Sequence, residues 1–336
     1  MRKTNTVFYC FLTTLLLLIS VGGAYPQSRH SHSEEAIRVL DYLQSIHGEA
    51  MLASAHTARG ARNGNDDLAY IHNTTGQYPA ILGLDVGIYR PRGSEDYAKR
   101  LHNVSLDARD YWLNAGLVTF TWHWSNPMLD ERSYDNTKVV FDIDKALVPG
   151  TDQHKRMVED IDLVAEVLKD LQEAGVPVLW RPLHEMCGGW FWWSKQGKET
   201  FQRLWIFLHE HLVDHHGLDN LIWVYSASNK LKMDWYPGDQ YADLFGWDCY
   251  DKERITQREN FERLKQIARG APIALTETDW MPDPAILEQK GFYWTWFMTW
   301  HTEFLRRNPP DFIKRVYSHP NVITREELPQ TLFRLD

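Results

Sequence analysis

The chain has 336 residues, with 36 Lys and Arg against 45 Asp and Glu and a formal charge of −9. That acidic balance, with no basic run anywhere, excludes a nucleic-acid binder, whose affinity rests on clustered cations neutralising phosphates. Hydrophobic residues at 43% and charged residues at 24% exclude a disordered or fibrous chain, and 15 Trp supply flat aromatic surface suited to stacking on a ligand.

At the N-terminus, Arg2 and Lys3 precede an apolar run over residues 7–21, and Gly22-Gly23-Ala24 offers small residues for cleavage. This pattern predicts a signal peptide over 1–24 and an exported product, periplasmic or secreted. The run is interrupted by Thr13, Thr14 and Ser20 and is too short to cross a bilayer, so no membrane insertion of the mature chain is expected. Ser31 and Glu34 then fit a capping box for a first helix reaching Ile46. No linker or composition break divides residues 25–336, which predicts one domain.

Along that stretch one grammar repeats. Short, nearly continuous apolar runs at 50–57, 79–86, 117–124, 177–185, 221–228, 244–250, 272–278 and 293–300 read as strands buried on both faces. Helical stretches separate them. Met157, Ile161, Val164, Leu168 and Leu171 recur at helical spacing over 155–174, and Gly175 and Pro177 end that helix. Stretches 199–216 and 259–269 end in the same way at Gly217 and Gly270. Strand and helix alternating to a count of eight predict a (β/α)8 TIM barrel, with a doubly wound open sheet as the alternative. No Gly-rich phosphate turn supports the open sheet. One long connection, 125–151, carries Tyr134 and Phe141 and would lie at the C-terminal rim, where barrels build their sites. Once the leader is removed, only Cys187 and Cys249 remain; that is no disulfide framework, and two free thiols are expected.

Chemistry concentrates at two strand ends. The first reads Trp180-Arg181-Pro182-Leu183-His184-Glu185, followed by Gly188-Gly189 and the aromatic wall Trp190-Phe191-Trp192-Trp193. Strand alternation would put Arg181, Leu183 and Glu185 on one face. The second reads Ile273-Ala274-Leu275-Thr276-Glu277-Thr278, with Ile273, Leu275 and Glu277 on one face. These are the fourth and seventh strands, on opposing sides of a barrel. Two carboxyls facing each other across a rim lined with Trp are the equipment for cleaving a glycosidic bond, because an oxocarbenium-like transition state needs one proton donor and one anion. A lone glutamate at a strand end is more often a cap or a surface charge; two, each ending an apolar strand, shift the reading toward function.

Arg181-Pro182-Leu183-His184-Glu185 followed by Gly189-Trp190-Phe191-Trp192-Trp193 resembles the signature of glycoside hydrolase family 26, mostly β-mannanases, and Leu275-Thr276-Glu277 resembles its second motif. The resemblance implies a barrel with catalytic glutamates at the ends of strands four and seven, acting with retention on mannan, galactomannan or manno-oligosaccharides. It makes Glu185 the acid/base and Glu277 the nucleophile. His184 would contact substrate or nucleophile, although alternation points it away unless the strand twists or bulges. His123 would line the site, with a core histidine equally open. Tyr250 would hold the nucleophile, with a core tyrosine as the alternative. Trp190 would stand beside the scissile bond, and Trp300 would floor the sugar at the cleaved position. Arg181 would support the glutamates, whereas Trp205, Trp223 and Trp294 read as core. Two departures stand out. Cys187 replaces an expected small polar residue, and the 125–151 loop lacks a tryptophan.

No cofactor or metal is expected. His209-Glu210-His211-Leu212-Val213-Asp214-His215-His216 lacks the second histidine of HExxH, since Val213 stands there, and reads as a solvated helix face. Relatives in the same family cutting β-1,3-xylan or mixed-linkage β-glucan, and a non-catalytic carbohydrate binder, are the competing functions.

Overall fold

In a computed structural model, which describes residues 31–333 other than 59, 64 and 65, the apolar runs form strands with no solvent-facing side. The signal segment expected at 1–24 lies outside the described residues. The strands are β1 (Met51–His56), β2 (Ile81–Asp85), β3 (Leu117–Thr121), β4 (Val178–Arg181), β5 (Leu221–Ala227), β6 (Leu244–Asp248), β7 (Ile273–Thr278) and β8 (Trp296–Thr299). Each pairs in parallel with its sequence neighbour, and β1 pairs with both β8 and β2, which closes the barrel and excludes the open sheet. A two-residue strand, β9 (Val322–Ile323), joins β1 at Met51 and Leu52, upstream of the stretch that meets β2. Closure explains why the strands carry no polar face. Their inner side chains fill the barrel and their outer ones meet helices, so both faces are dry.

Two expected strands stop early. β3 ends at Thr121 rather than at 124, and β4 ends at Arg181 rather than at 185. Pro182 has no N–H for the ladder, and Leu183 and Glu185 adopt left-handed φ values of 49° and 53°, which no strand contains. The expected shared face of Arg181, Leu183 and Glu185 therefore does not exist. In β7 a register shift against β6 pairs Trp247 with Leu275 but Asp248 with Glu277, leaving Thr276 as the extra residue of a bulge. Simple alternation from Leu275 to Glu277 fails there too.

The helices follow their expected spans with shifts at the caps. The first runs Glu34–Ile46, and Ser33, not Ser31, is its cap, its hydroxyl accepting from the Ala36 N–H at 3.3 Å. The second expected helix runs Asp152–Glu173 and begins earlier because Thr151 caps it, accepting from the His154 N–H at 3.1 Å. The stretch expected as one helix over 199–216 is an α-helix, Lys198–Glu210, followed by a π-helical turn, His211–His215. The last runs Arg258–Ala268. Trp205, Trp223 and Trp294 are fully buried, as expected for core. Cys187 and Cys249 are both buried and free. Among the described residues, no helix is long and apolar enough to cross a membrane.

The 125–151 connection is pinned rather than loose. Buried Arg132 reaches the Asp160 carboxylate with both terminal nitrogens, at 2.9 and 2.6 Å, and the Trp124 indole donates to the same carboxylate at 2.8 Å. Arg92 closes on Asp160 as well. Of the two aromatics in the connection, Phe141 is 1% exposed and packs on Trp192, whereas Tyr134 is 46% exposed at the rim.

Candidate active site

The C-terminal ends of the strands carry polar residues around one cavity of about 720 Å³. Glu185, Glu277, His123, Trp190, Tyr250 and Trp300 all line it, so six of the seven residues singled out from sequence converge there. His184 does not. It is 0% exposed and sits behind His123, with the two Nε2 atoms 3.3 Å apart. The expected contact of His184 with substrate or nucleophile is thus replaced by a contact with another histidine. The physical cause is the left-handed Leu183 and Glu185 on either side, which turn the chain so that Glu185 enters the cavity and His184 packs under the wall.

Glu277 is held from two sides. Arg181 Nη2 donates to Oε2 at 2.7 Å, and the Tyr250 hydroxyl donates to Oε1. Arg181 is itself buried and donates through Nη1 to Asp248 at 2.9 Å. Asp248 in turn accepts from Ser226 at 2.8 Å and Thr276 at 2.7 Å, which gives the bulged residue of β7 a partner inside the barrel. Burial works against the Arg181 charge, but Asp248 and Glu277 beside it raise its pKa above the ordinary arginine value. Asp248 is pushed up to about 7, chiefly by burial, with Arg181 opposing and Glu277 adding to the rise. Tyr250 is 37% exposed as a residue, which places it at the rim rather than in the core. Burial of its hydroxyl, and then the Glu277 charge, hold its pKa well above the usual phenol value.

Glu185 lives in a different environment. The Trp190 indole N–H donates to its Oε2 at 2.6 Å. Burial, then Glu277, then Asp248 raise its pKa well above the ordinary carboxyl value, while the Trp190 hydrogen bond and Arg181 oppose that rise. One carboxyl is therefore clamped by donors while its neighbour is disposed to keep a proton. That division of environments is how a pair of carboxyls acquires separate acid and anion roles.

His123 is fixed by Asp85, which ends β2. Its Nδ1 lies 2.6 Å from Asp85 Oδ2, and its backbone N–H donates to Oδ1 at 3.1 Å. A carboxylate only accepts, so Nδ1 carries the proton and Nε2 accepts from His184. Burial, and then His123 and Arg181, keep His184 neutral by lowering its pKa well below the usual value. Gly87 allows this arrangement. Its N–H donates to Asp85 at 2.7 Å, and a Cβ there would come within 2.5 Å of the His123 carbonyl oxygen. Trp300, the residue after β8, stacks on His56 with ring centroids 4.0 Å apart.

Sequence reading missed His56, Asp85, Asp248 and His301, all of which line the cavity. A signal for three of them was present: His56, Asp85 and Asp248 are each the last, polar residue of an otherwise apolar strand. Around the cavity, a carboxyl held by donors, a second carboxyl held in low dielectric and flat aromatic rings meet. They can protonate a departing oxygen, attack the carbon behind it and stack on apolar ring faces.

The family model described as glycosyl hydrolase family 26 matches residues 29–327. A mannan endo-1,4-beta-mannosidase of Thermothelomyces thermophilus is 34% identical, over 89% of this chain and 62% of its own. A mannan endo-1,4-beta-mannosidase of Bacillus subtilis is 29% identical, over 87% of this chain and 88% of its own. The chain thus spans 62% of the length of the Thermothelomyces relative, and 52% of a Piromyces mannan endo-1,4-beta-mannosidase that it also matches. Among solved structures, GH26A from Muricauda sp. superposes with a TM-score of 0.80 at 34% identity, covering 89% of this chain and 98% of that one. The β-mannanase of a protist symbiont of the termite Reticulitermes speratus, complexed with gluco-manno-oligosaccharide, superposes with a TM-score of 0.81 at 29% identity, covering 91% and 97%. With the barrel, the motif residues and these similarities in agreement, the chain belongs to glycosyl hydrolase family 26.

Proposed function

We propose that the protein is a retaining β-1,4-mannan hydrolase working by double displacement, with Glu277 as nucleophile and Glu185 as acid/base. The observation that carries this reading is the contrast between the two carboxyls in one cavity: Glu277 clamped by Arg181 and Tyr250, Glu185 raised in pKa with the Trp190 indole beside it. Retention demands that division of labour.

In the first step Glu277 attacks the anomeric carbon, the glycosidic C–O bond breaks, and Glu185 gives its proton to the leaving oxygen. A glycosyl ester on Glu277 results. In the second step Glu185, now a carboxylate, takes a proton from water, whose oxygen attacks the same carbon and releases Glu277. Trp300 stacks under the reacting sugar and Trp190 stands beside the bond being cut. Arg181 and Tyr250 hold the nucleophile in line; His123, fixed by Asp85, lines the site, and His184 supports it from behind. The substrate class follows from the relatives, whose names specify mannan or a bound gluco-manno-oligosaccharide. Residues 25–336 would act as one catalytic domain, exported through the leader at 1–24.

The test is a side-by-side digestion of linear β-1,4-mannan, β-1,3-xylan and mixed-linkage β-glucan, with the anomeric form of the first product followed by NMR. Cleavage of mannan giving an initial β-anomer is expected. An initial α-anomer would overturn the nucleophile assignment. Cleavage confined to either other glycan would overturn the substrate class, and tight binding with no product would overturn catalysis itself.

A further inference from the structure

The His-rich stretch that sequence reading set aside is not a plain solvated helix face. From His211 the chain leaves α-helical geometry, and the His216 N–H bonds to the His211 carbonyl at 3.1 Å, an i to i+5 step. Such π-turns are rare and concentrate at functional positions. This one carries His211 and His216 to the same side, next to His215. The three rings form a nearly equilateral triangle, with centroids 4.7, 5.2 and 5.0 Å apart. One ring nitrogen from each lies within 4.8 Å of the others.

We propose that His211, His215 and His216 form a binding site for one divalent transition-metal ion of the zinc class, at the end of the barrel opposite the glycosidase cavity. Three imidazoles bound tetrahedrally at about 2.0–2.1 Å place their ring centroids about 3.2 Å from the ion and therefore about 5.2 Å apart. The triangle already has that size, so closing the nitrogens onto an ion needs ring rotation rather than backbone movement.

A carboxylate orients two of the rings. Asp162 Oδ1, from the helix Asp152–Glu173, lies 2.9 Å from His211 Nε2 and 2.8 Å from His216 Nε2. In the neutral rings both Nε2–H groups point at Asp162, which leaves a lone pair on each Nδ1. That is the arrangement in which a carboxylate fixes the tautomer of a metal-binding histidine. The neighbouring backbone is tied down as well: Gln172 bonds the Gly217 carbonyl at 3.2 Å and the Asp219 N–H at 2.8 Å.

Position gives the site its role. The helix Lys198–Glu210 follows β4 and runs back towards the start of β5, so its C-terminal turn lies at the N-terminal ends of the strands. In barrels of this kind that face serves stability, and the opposite rim serves chemistry. An ion there would join two neighbouring outer helices through the histidines and Asp162, and would not enter glycoside hydrolysis.

Equilibrium dialysis of the full chain against Zn2+, followed by elemental analysis, tests this directly, with His211→Ala/His215→Ala and Asp162→Asn alongside. The wild type should take up one equivalent. The double variant should bind at least about 10-fold more weakly, and Asp162→Asn about 10- to 100-fold more weakly. Saturating Zn2+ should raise the unfolding temperature of the wild type by about 3–6 °C, and this rise should vanish in the double variant. Unchanged near-UV circular dichroism and unchanged polysaccharide cleavage at 25 °C would show that the variants are folded and that the ion acts away from the cavity. Failure of the wild type to retain a stoichiometric ion, equal uptake by the double variant, or loss of cleavage on zinc removal would overturn the proposal.

Discussion

At the scale of single residues, the decisive fact is that two glutamates of the same chemistry are made different by what donates to them. Replacing Glu277 with Ala should lower mannan turnover by about 10,000-fold or more while oligosaccharide binding stays near wild type. Residual turnover close to wild type would remove it as nucleophile. Tyr250→Phe deletes one donor to that carboxylate and should cost about 100-fold in kcat with little change in KM; a purely structural tyrosine would instead lower stability and leave kcat intact. The pH profile gives an independent reading of Glu185. A general acid must be protonated, so the alkaline limb marks its titration. The Trp190 indole N–H stabilises the ionised form and so opposes the raised pKa. Trp190→Phe should therefore move the alkaline limb of kcat/KM to higher pH, and a shift downwards would contradict the assignment of acid to Glu185. At this scale the two glutamates were legible because each interrupts an apolar run, whereas His123, His184, Tyr250, Trp190 and Trp300 were singled out only through the family resemblance. The partners Asp85, Asp248 and His56 were not singled out, because a polar residue at a strand end acquires meaning only when another strand stands opposite.

At the scale of elements, the geometry of the proposed catalytic pair depends on places where secondary structure fails. β4 stops at Arg181 and β7 bulges at Thr276, and these breaks aim Glu185 and Glu277. Periodicity located the strands but could not read their ends, since alternation assumes an unbroken ladder. Pro182 was the available clue. The connection 125–151 depends on one buried carboxylate, Asp160, which gathers Arg92, Arg132 and the Trp124 indole. Asp160→Asn leaves buried Arg132 and half-buried Arg92 undercompensated and should destabilise the fold by about 3 kcal/mol, measured by denaturant unfolding. Because Tyr134 on that connection lines the cavity, KM for long manno-oligosaccharides should rise in the same variant. An unchanged unfolding midpoint would show that the loop is held elsewhere.

At the scale of the whole molecule, a closed barrel concentrates charge that an open chain would disperse, and this has a cost that varies with pH. Glu185 and Asp248 both titrate higher in the folded protein than in the unfolded chain, Asp248 at about 7. Between the ordinary carboxylate range and that region these two groups hold protons in the folded state that they lose in the unfolded chain, so their contribution to stability falls as pH rises, while buried His56 and His184, whose pKa values are lowered, work in the opposite direction. The difference in unfolding free energy between wild type and Glu185→Gln, measured from pH 5 to pH 8, should move in favour of the variant as pH rises, and the variant should exceed the wild type in stability at pH 8. A difference that stays flat or moves in favour of the wild type over that interval would refute this account.

The amino-acid sequence by itself determined the alternation of buried strands and helices, the two glutamates and the aromatic wall that follows the first, because hydrophobic periodicity and its interruptions are local properties of a chain. Only the tertiary structure decided which polar residues meet: Arg181 with Glu277, Asp85 with His123, and three histidines with Asp162. Those pairings join residues tens of positions apart, and their register is set by barrel closure, a bulge and a π-turn, none of which any single stretch of sequence encodes.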